Sequence, residues 1–142
     1  MTHRTYLGLG SNLGNGKRNL TLAIEKIERL IGTVVCQSAF YETKPWGFHS
    51  ENMFTNAVIS VDTNLSPHDL LKATQHIEQL MGRSEKSANG HYHDRTIDID
   101  ILTYDNLTID EPHLRIPHPL MHEREFVMKP LNEVLGKEKV KK

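Results

Sequence analysis

Cysteine is nearly absent: Cys36 is the single one in 142 residues. It can form no internal disulfide, and its apolar neighbours suit a buried thiol in a reducing compartment. An excess of one charge is missing too. Formal net charge is −1, which gives no global pull toward nucleic acid. No apolar run approaches the roughly 18 residues of a membrane span. The opening "MTHRTYLGLGSN" lacks the apolar stretch of a secretory leader. Common site motifs are missing as well. "GLGSNLG" spaces its glycines as G-x-G-x-x-x-G, not as a dinucleotide loop, and "GNGKRN" lacks the Walker spacing and its hydroxyl residue. The nine histidines show no zinc spacing, so polar surface histidines are expected. No RNP-type aromatic motif points to RNA. These absences lead to an expectation of one cytoplasmic domain over residues 1–142, a monomer, with no nucleic-acid or membrane partner.

What is present alternates between strand and helix patterns. Thr5 to Gly10 reads as a short strand. Leu20, Ala23, Ile24, Ile27, Leu30 and Ile31 recur at helical spacing, so Lys17 to Leu30 should be an amphipathic helix, with Gly32 as its stop. "TVVCQSAFYET" reads as a second strand and "KPWGFHSEN" as a loop. "FTNAVISVDT" is a third strand, with Phe54, Asn56, Val58 and Ser60 on one face and Ala57, Ile59 and Val61 on the other. In "SPHDLLKATQHIEQLMG", Ser66 is the expected N-cap, Pro67 the first helical residue, Asp69 the acid of a capping box and Gly82 the stop. A polar loop covers 83–93, and "TIDIDILTYD" is the fourth strand. "NLTID" is expected to turn back as a short hairpin partner. A short helical stretch and a last turn or two should follow, with "GKEKVKK" as a solvated tail. The order β-α-β-β-α-β predicts a ferredoxin-like α+β fold: an antiparallel sheet with two helices packed on one face, plus an extra C-terminal hairpin and helix.

The chemistry concentrates in "DRTIDIDIL", residues 94 to 102. Side chains two apart on a strand point the same way, with Cα atoms roughly 6.5 to 7 Å apart, so Asp98 and Asp100 share a face. At about 5 Å and an effective dielectric near 20, two such charges repel by about 3 kcal/mol. Solvent, a shared proton or a cation relieves that repulsion. Hard oxygen ligands suit Mg2+, and two such ions can clamp a phosphoryl group in transfer. The alternative is a strand with one wet face. Arg83 follows the second helix and Arg95 lies just before the strand, and His118 and Arg124 lie in "IPHPLMHER"; guanidinium groups opposite carboxylate-bound cations would make a phosphate pocket, whereas each arginine alone reads as surface charge. Gln75 and Glu78 share a helix face and could bond a purine or ribose, or simply meet solvent. Trp46, Phe54 and Phe126 offer stacking surface and Asn56 a donor and an acceptor for an amide-like ring edge; core packing is the alternative for the phenylalanines.

Taken together, "YLGLGSNLG", "SAFYETKPWG", "FTNAV", "LSPHDLLKATQHIEQLMGR", "DRTIDIDIL" and "IPHPLMHEREFVMKPLNE" resemble the 6-hydroxymethyl-7,8-dihydropterin pyrophosphokinases of folate biosynthesis, over nearly the whole chain. The resemblance implies transfer of the β,γ-pyrophosphoryl unit of ATP to the pterin hydroxymethyl oxygen, with release of AMP. It implies two Mg2+ ions on Asp98 and Asp100, with Asp98 also near the attacking hydroxyl, and Arg83 and Arg95 as phosphate-stabilising, catalytic arginines. The pterin would stack between Phe54 and Phe126, read by Asn56 and by the backbone around Thr43, Lys44, Pro45 and Trp46. Gln75, Glu78, Ile101, His118 and Arg124 match nucleotide-contact positions. Glu85, Lys86, Asn89 and Tyr92 stand in a loop where some relatives carry further basic residues and a tryptophan. His113 and Arg115 likewise depart from an arginine and a small hydroxyl residue in some relatives. Residues 44 to 52 and 83 to 93 are expected to close as lids that exclude water. A second reading, a non-catalytic ligand-binding domain of the same fold, leaves the paired aspartates beside arginines unexplained. AMP release that needs both Mg2+ and the pterin alcohol separates the two.

Overall fold

A computed structural model describes residues 2–43, 54–82 and 96–140. Its first strand, β1 (His3–Ser11), leads through a turn into helix α1 (Gly16–Leu30). Strands β2 (Gly32–Gln37) and β3 (Tyr41–Thr43) follow, then β4 (Phe54–Thr63) and helix α2 (Pro67–Leu80). Strand β5 (Asp98–Tyr104), the short pair β6 (Ile109–Glu111) and β7 (Leu114–Ile116), and helix α3 (Glu125–Val140) complete the order. The main sheet runs β2-β4-β1-β5, with β3 also on β4, and its pairings are antiparallel. This is the ferredoxin-like α+β arrangement expected from the element order.

Local chemistry explains the helix ends. Asn15 caps α1 by accepting the Arg18 N–H at 3.1 Å, and Ser66 caps α2 by accepting the Asp69 N–H at 3.2 Å. Gly82 follows α2 with φ +102, a conformation that favours glycine. Gly32 stands just past the C-cap of α1, where a helix stop is expected, and it has a second task. It is the first residue of β2, and a Cβ there would lie 2.0 Å from the Asp62 carbonyl oxygen. The residue permits two backbones to approach closely.

The sheet is covered on both faces, not one. Leu7, Leu9, Ala57, Ile59, Val61, Ile99 and Ile101 pack with Leu20, Ala23 and Ile27 of α1 and with Leu70 and Ile77 of α2. Cys36, Val58 and Leu102 point the other way, onto Met121 and onto Val127, Leu131 and Val134 of α3. The alternation read in residues 54 to 63 therefore sorts side chains between two cores. Each buried leucine or valine of α3 contributes about 1.5–3 kcal/mol.

Helix α3 corrects the expected short turns and solvated tail. Residues 127, 131 and 134 form a helical stripe, and Glu138 continues it one turn further. Its carboxylate accepts Arg4 Nη1 at 2.7 Å, Ser60 Oγ at 2.9 Å and the Tyr6 hydroxyl. Burial and the neighbouring carboxylate push the Tyr6 hydroxyl up to about 12. A half-buried acid thus ends an apolar stripe, which hides the helix from a hydrophobic pattern. Two further expectations change. Residues 32 to 43 form two strands, with Ser38 to Phe40 between them. The segment after β5 pairs with β7 instead of turning back on β5.

Candidate active site

Strand β5 lies at one edge of the main sheet. Ile97, Ile99 and Ile101 are buried toward α1 and α2, while Asp98 and Asp100 are half-buried on the opposite face. Across the ladder Asp98 faces Gly10 and Asp100 faces Gly8. On the other side of β1, Gly10 faces Asn56, which in turn faces Tyr41. Directly opposed residues of antiparallel strands project to the same side, so Asp98, Gly10, Asn56 and Tyr41 form one row across the sheet. Gly10 keeps the middle of that row low. A Cβ there would sit 3.1 Å from Asn56 Oδ1 and 3.7 Å from Phe54 Cδ1. Glycine at alternate strand positions signals close approach to a backbone, and that signal was available in "GLG" beside the failed dinucleotide spacing.

The segment after β7 brings a rim to this face. The Ile116–Pro117 peptide is cis, and the His118 N–H donates to the Leu102 carbonyl at 2.9 Å, tying the segment to β5. His118 Nδ1 accepts the Leu120 N–H at 3.2 Å, so a neutral ring carries its proton on Nε2. Burial holds His118 below its usual range; Arg124 adds to this and Asp98 opposes it. Arg124 is 6% exposed, and its Nη1 lies 4.0 Å from Asp100 Oδ2. Its guanidinium carbon stands 5.6 Å from the centre of the half-buried Phe126 ring. Asp98, Asp100, His118, Arg124 and Phe126 thus gather from β5, the rim and the start of α3.

A surface cleft of about 380 Å³ opens beside β5. Leu71 and Ile101 give it apolar walls, while Asp100, His113, Arg115 and His118 add polar groups. Gln75 is half-buried on α2. Glu78 is 7% exposed, and its Oε2 accepts the Ile99 N–H at 2.8 Å. The solvated helical pair considered for Gln75 and Glu78 is therefore corrected at Glu78. Its carboxylate fixes the backbone between the two aspartates, and the periodicity of α2 carried no sign of that long-range bond. Thr43 belongs to β3 and pairs with Phe54. Lys44, Pro45, Trp46, Arg83 and Arg95 lie outside the described residues, as do both expected lids.

The donor set of Asp98 and Asp100 is oxygen only. Among the described residues no cluster of three or more histidine, cysteine, aspartate or glutamate side chains could hold a metal ion. Two carboxylates on one open face fit Mg2+, which usually keeps waters and takes phosphate oxygens as its other ligands.

The family model for 7,8-dihydro-6-hydroxymethylpterin-pyrophosphokinase matches residues 6–136. The chain belongs to that family. A Porphyromonas gingivalis 2-amino-4-hydroxy-6-hydroxymethyldihydropteridine pyrophosphokinase is 47% identical over 130 residues, 91% of this chain and 88% of the relative. The Bacillus subtilis pyrophosphokinase of the same name is 36% identical over 135 residues, 94% of this chain and 79% of the relative. A solved HPPK-DHPS in complex with substrates superposes with a TM-score of 0.73 at 16% identity, over 94% of this chain and 40% of that one. The wild-type Plasmodium falciparum HPPK-DHPS with pteroate gives 0.71 at 17% identity, over 93% and 38%. The chain spans about two fifths of those solved chains, and the likeness to them establishes its fold. Family membership sets the reaction as pyrophosphate transfer to 6-hydroxymethyl-7,8-dihydropterin in folate biosynthesis. Among the described residues no helix is long and apolar enough to cross a membrane.

Proposed function

We propose that this chain, as a single domain, moves the β,γ-pyrophosphoryl unit of ATP to the pterin hydroxymethyl oxygen and releases AMP, with Mg2+ held by Asp98 and Asp100. The observation that carries this reading is the low row across the sheet. It sets Asp98 level with Asn56 over a side-chain-free Gly10, and beside it Arg124 lies 4.0 Å from Asp100. When bound, two Mg2+ ions would offset the charge of the triphosphate and polarise the transferred group.

The chain's own residues do the rest by positioning. Isoleucines buried on either side of each aspartate hold the carboxylates in fixed register. Glu78 holds the Ile99 N–H between them. Asn56 presents a donor and an acceptor to the pterin edge, while Phe54 and Phe126 stack on its faces. The cleft at Leu71, Ile101 and His118 takes the nucleotide base, and Gln75, one helical turn after Leu71 on α2, is the nearby amide for it. Arg124 binds phosphate oxygens as a buried, permanently charged guanidinium. Arg83 and Arg95 complete the charge stabilisation from outside the described residues. Transfer of this kind needs in-line placement and fixed charge more than covalent help.

The test is AMP formation from ATP, followed with and without Mg2+ and the pterin alcohol. AMP should appear only when both are present. ADP in place of AMP, or no nucleotide product, would overturn the assignment. Asp100→Ala should cut turnover by about 10²–10³-fold or more, and near-normal turnover in that variant would remove the carboxylates from the proposed site.

A further inference from the structure

We propose that Glu133, on the face of α3 turned toward the sheet, is a positioning residue for the pterin wall. It clamps the junction of β2 and β3 and so fixes β3 against Asn56. The inference rests on the reading that the Phe54 and Asn56 face takes the pterin.

The junction needs a clamp because its strands are out of step. Gln37 faces Ile59 and Tyr41 faces Asn56, so the three residues between them, Ser38 to Phe40, lie opposite two, Ala57 and Val58. One extra residue in a strand is a β-bulge, which disrupts the ladder locally and re-aims the side chains that follow. Ser38 closes one end of the bulge. Its N–H donates to the Val58 carbonyl at 2.9 Å, and its Oγ accepts the Val58 N–H at 3.0 Å. Glu133 closes the other end. Its Oε2 accepts the Ala39 N–H at 2.8 Å, and its Oε1 accepts the Tyr41 hydroxyl. Lys137, one turn along α3, reaches the same carboxylate at 3.0 Å and the Gln37 carbonyl at 3.0 Å. The Lys129 ammonium lies 5.6 Å from the centre of the Tyr41 ring.

Glu133 therefore joins a backbone group inside the bulge to the first side chain after it. Tyr41 is the β3 residue paired with Asn56, and Thr43, at the end of β3, pairs with Phe54. The same helix carries Phe126 seven residues earlier, about two turns away and on a similar face. One rigid element thus bears one stacking ring and anchors the strand beside the other. Moving β3 relative to α3 would alter the width of the slot between Phe54 and Phe126. It would leave the nucleotide cleft along β5, at the far edge of the sheet, untouched.

The experiment compares Glu133→Ala, Glu133→Gln, Tyr41→Phe and Asn56→Ala in the full chain. It measures kcat, the KM for pterin, the KM for ATP and the melting temperature. Loss of bonds to a charged acceptor should raise the pterin KM of Glu133→Ala about tenfold, with the ATP KM changed by less than about twofold. Glutamine keeps a carbonyl oxygen for the Ala39 N–H and should recover most of the loss. Tyr41→Phe, which removes one oxygen, should show a smaller rise in the same constant and decides the matter if Glu133→Ala does not fold. Melting that falls with both KM values unchanged, or both KM values rising together, would overturn the clamp. An unchanged pterin KM in Asn56→Ala would overturn the pterin site itself. A raised value there with normal constants in Glu133→Ala and Tyr41→Phe would overturn the clamp alone.

Discussion

An alanine at position 10 would place its Cβ 3.1 Å from Asn56 Oδ1 and 3.7 Å from Phe54 Cδ1. The first distance is a few tenths of an ångström too short, so the Asn56 amide has to yield. Overpacking of this kind costs about 1–3 kcal/mol. Replacing a strand glycine returns about 0.5–1 kcal/mol of backbone entropy, so stability should fall by no more than about 2.5 kcal/mol. The effect on binding should be more specific. A displaced amide that loses one hydrogen bond to the pterin edge forfeits about 1.4 kcal/mol, a tenfold rise in pterin KM. The ATP KM should stay within about twofold, because the base cleft is on the outer side of β5. Steady-state kinetics with each substrate varied in turn, beside a urea melt, reads all three quantities. A Gly10→Ala enzyme with an unchanged pterin KM would refute the low row as the pterin floor.

Two further changes test the frame away from the site. Gly32→Ala would drive a Cβ to 2.0 Å from the Asp62 carbonyl oxygen and 3.0 Å from Thr63 Cα. Backbone cannot step aside as a side chain can, so urea unfolding should show a loss of at least about 3 kcal/mol; a midpoint close to the parent's would refute the close approach. Asp105 accepts the Arg4 N–H at 2.8 Å and His3 Nδ1 at 2.6 Å, which holds its carboxyl below the usual carboxylate range despite some burial. A carboxyl depressed in the folded state contributes stability above its unfolded value, near 3.8, and loses it as pH falls through the lower folded value. Asp105→Asn suits the φ of +49 at this position and should flatten the acid limb of stability against pH. Parallel acid limbs in the two proteins would refute the linkage.

The legible parts of this fold were those written in a single period. Alternation in "TIDIDIL" placed both aspartates on one face, and alternation in residues 54 to 63 separated Val58 from Ala57, Ile59 and Val61. It did not say that a helix covers each face, because a strand buried on two sides still alternates between two cores. Gly32 reads as a stop and α1 does end just before it, but the sequence does not show the carbonyl of Asp62 across the sheet. Glu78 reads as a nucleotide contact or a solvated residue, and Glu138 as part of a solvated tail, because a charged residue looks polar in any pattern. Their partners, the Ile99 N–H and the Arg4 side chain, lie 21 and 134 residues away. Tertiary bonds of that span leave no local trace. Glu133 escaped for the same reason, since its partner Tyr41 is 92 residues distant.

The strand order also bears on how the molecule comes together. Strand β1 hydrogen-bonds to β4 and β5, and Gly10 must wait for Asp98 before its row is complete. Arg4 waits longer still, for a carboxylate on the last helix. Pairings this distant along the chain pay their loop-closure entropy before any contact repays it, so assembly is slow relative to a helical bundle of equal size. On a ribosome, α1, β2 and β4 can gather around β1 while the remainder is still being made. The acidic edge joins after them, and α3 closes the second face at the end. The reactive surface is thus made after most of the main sheet, and a chain interrupted before β5 lacks both site aspartates together with the α3 side of the second core.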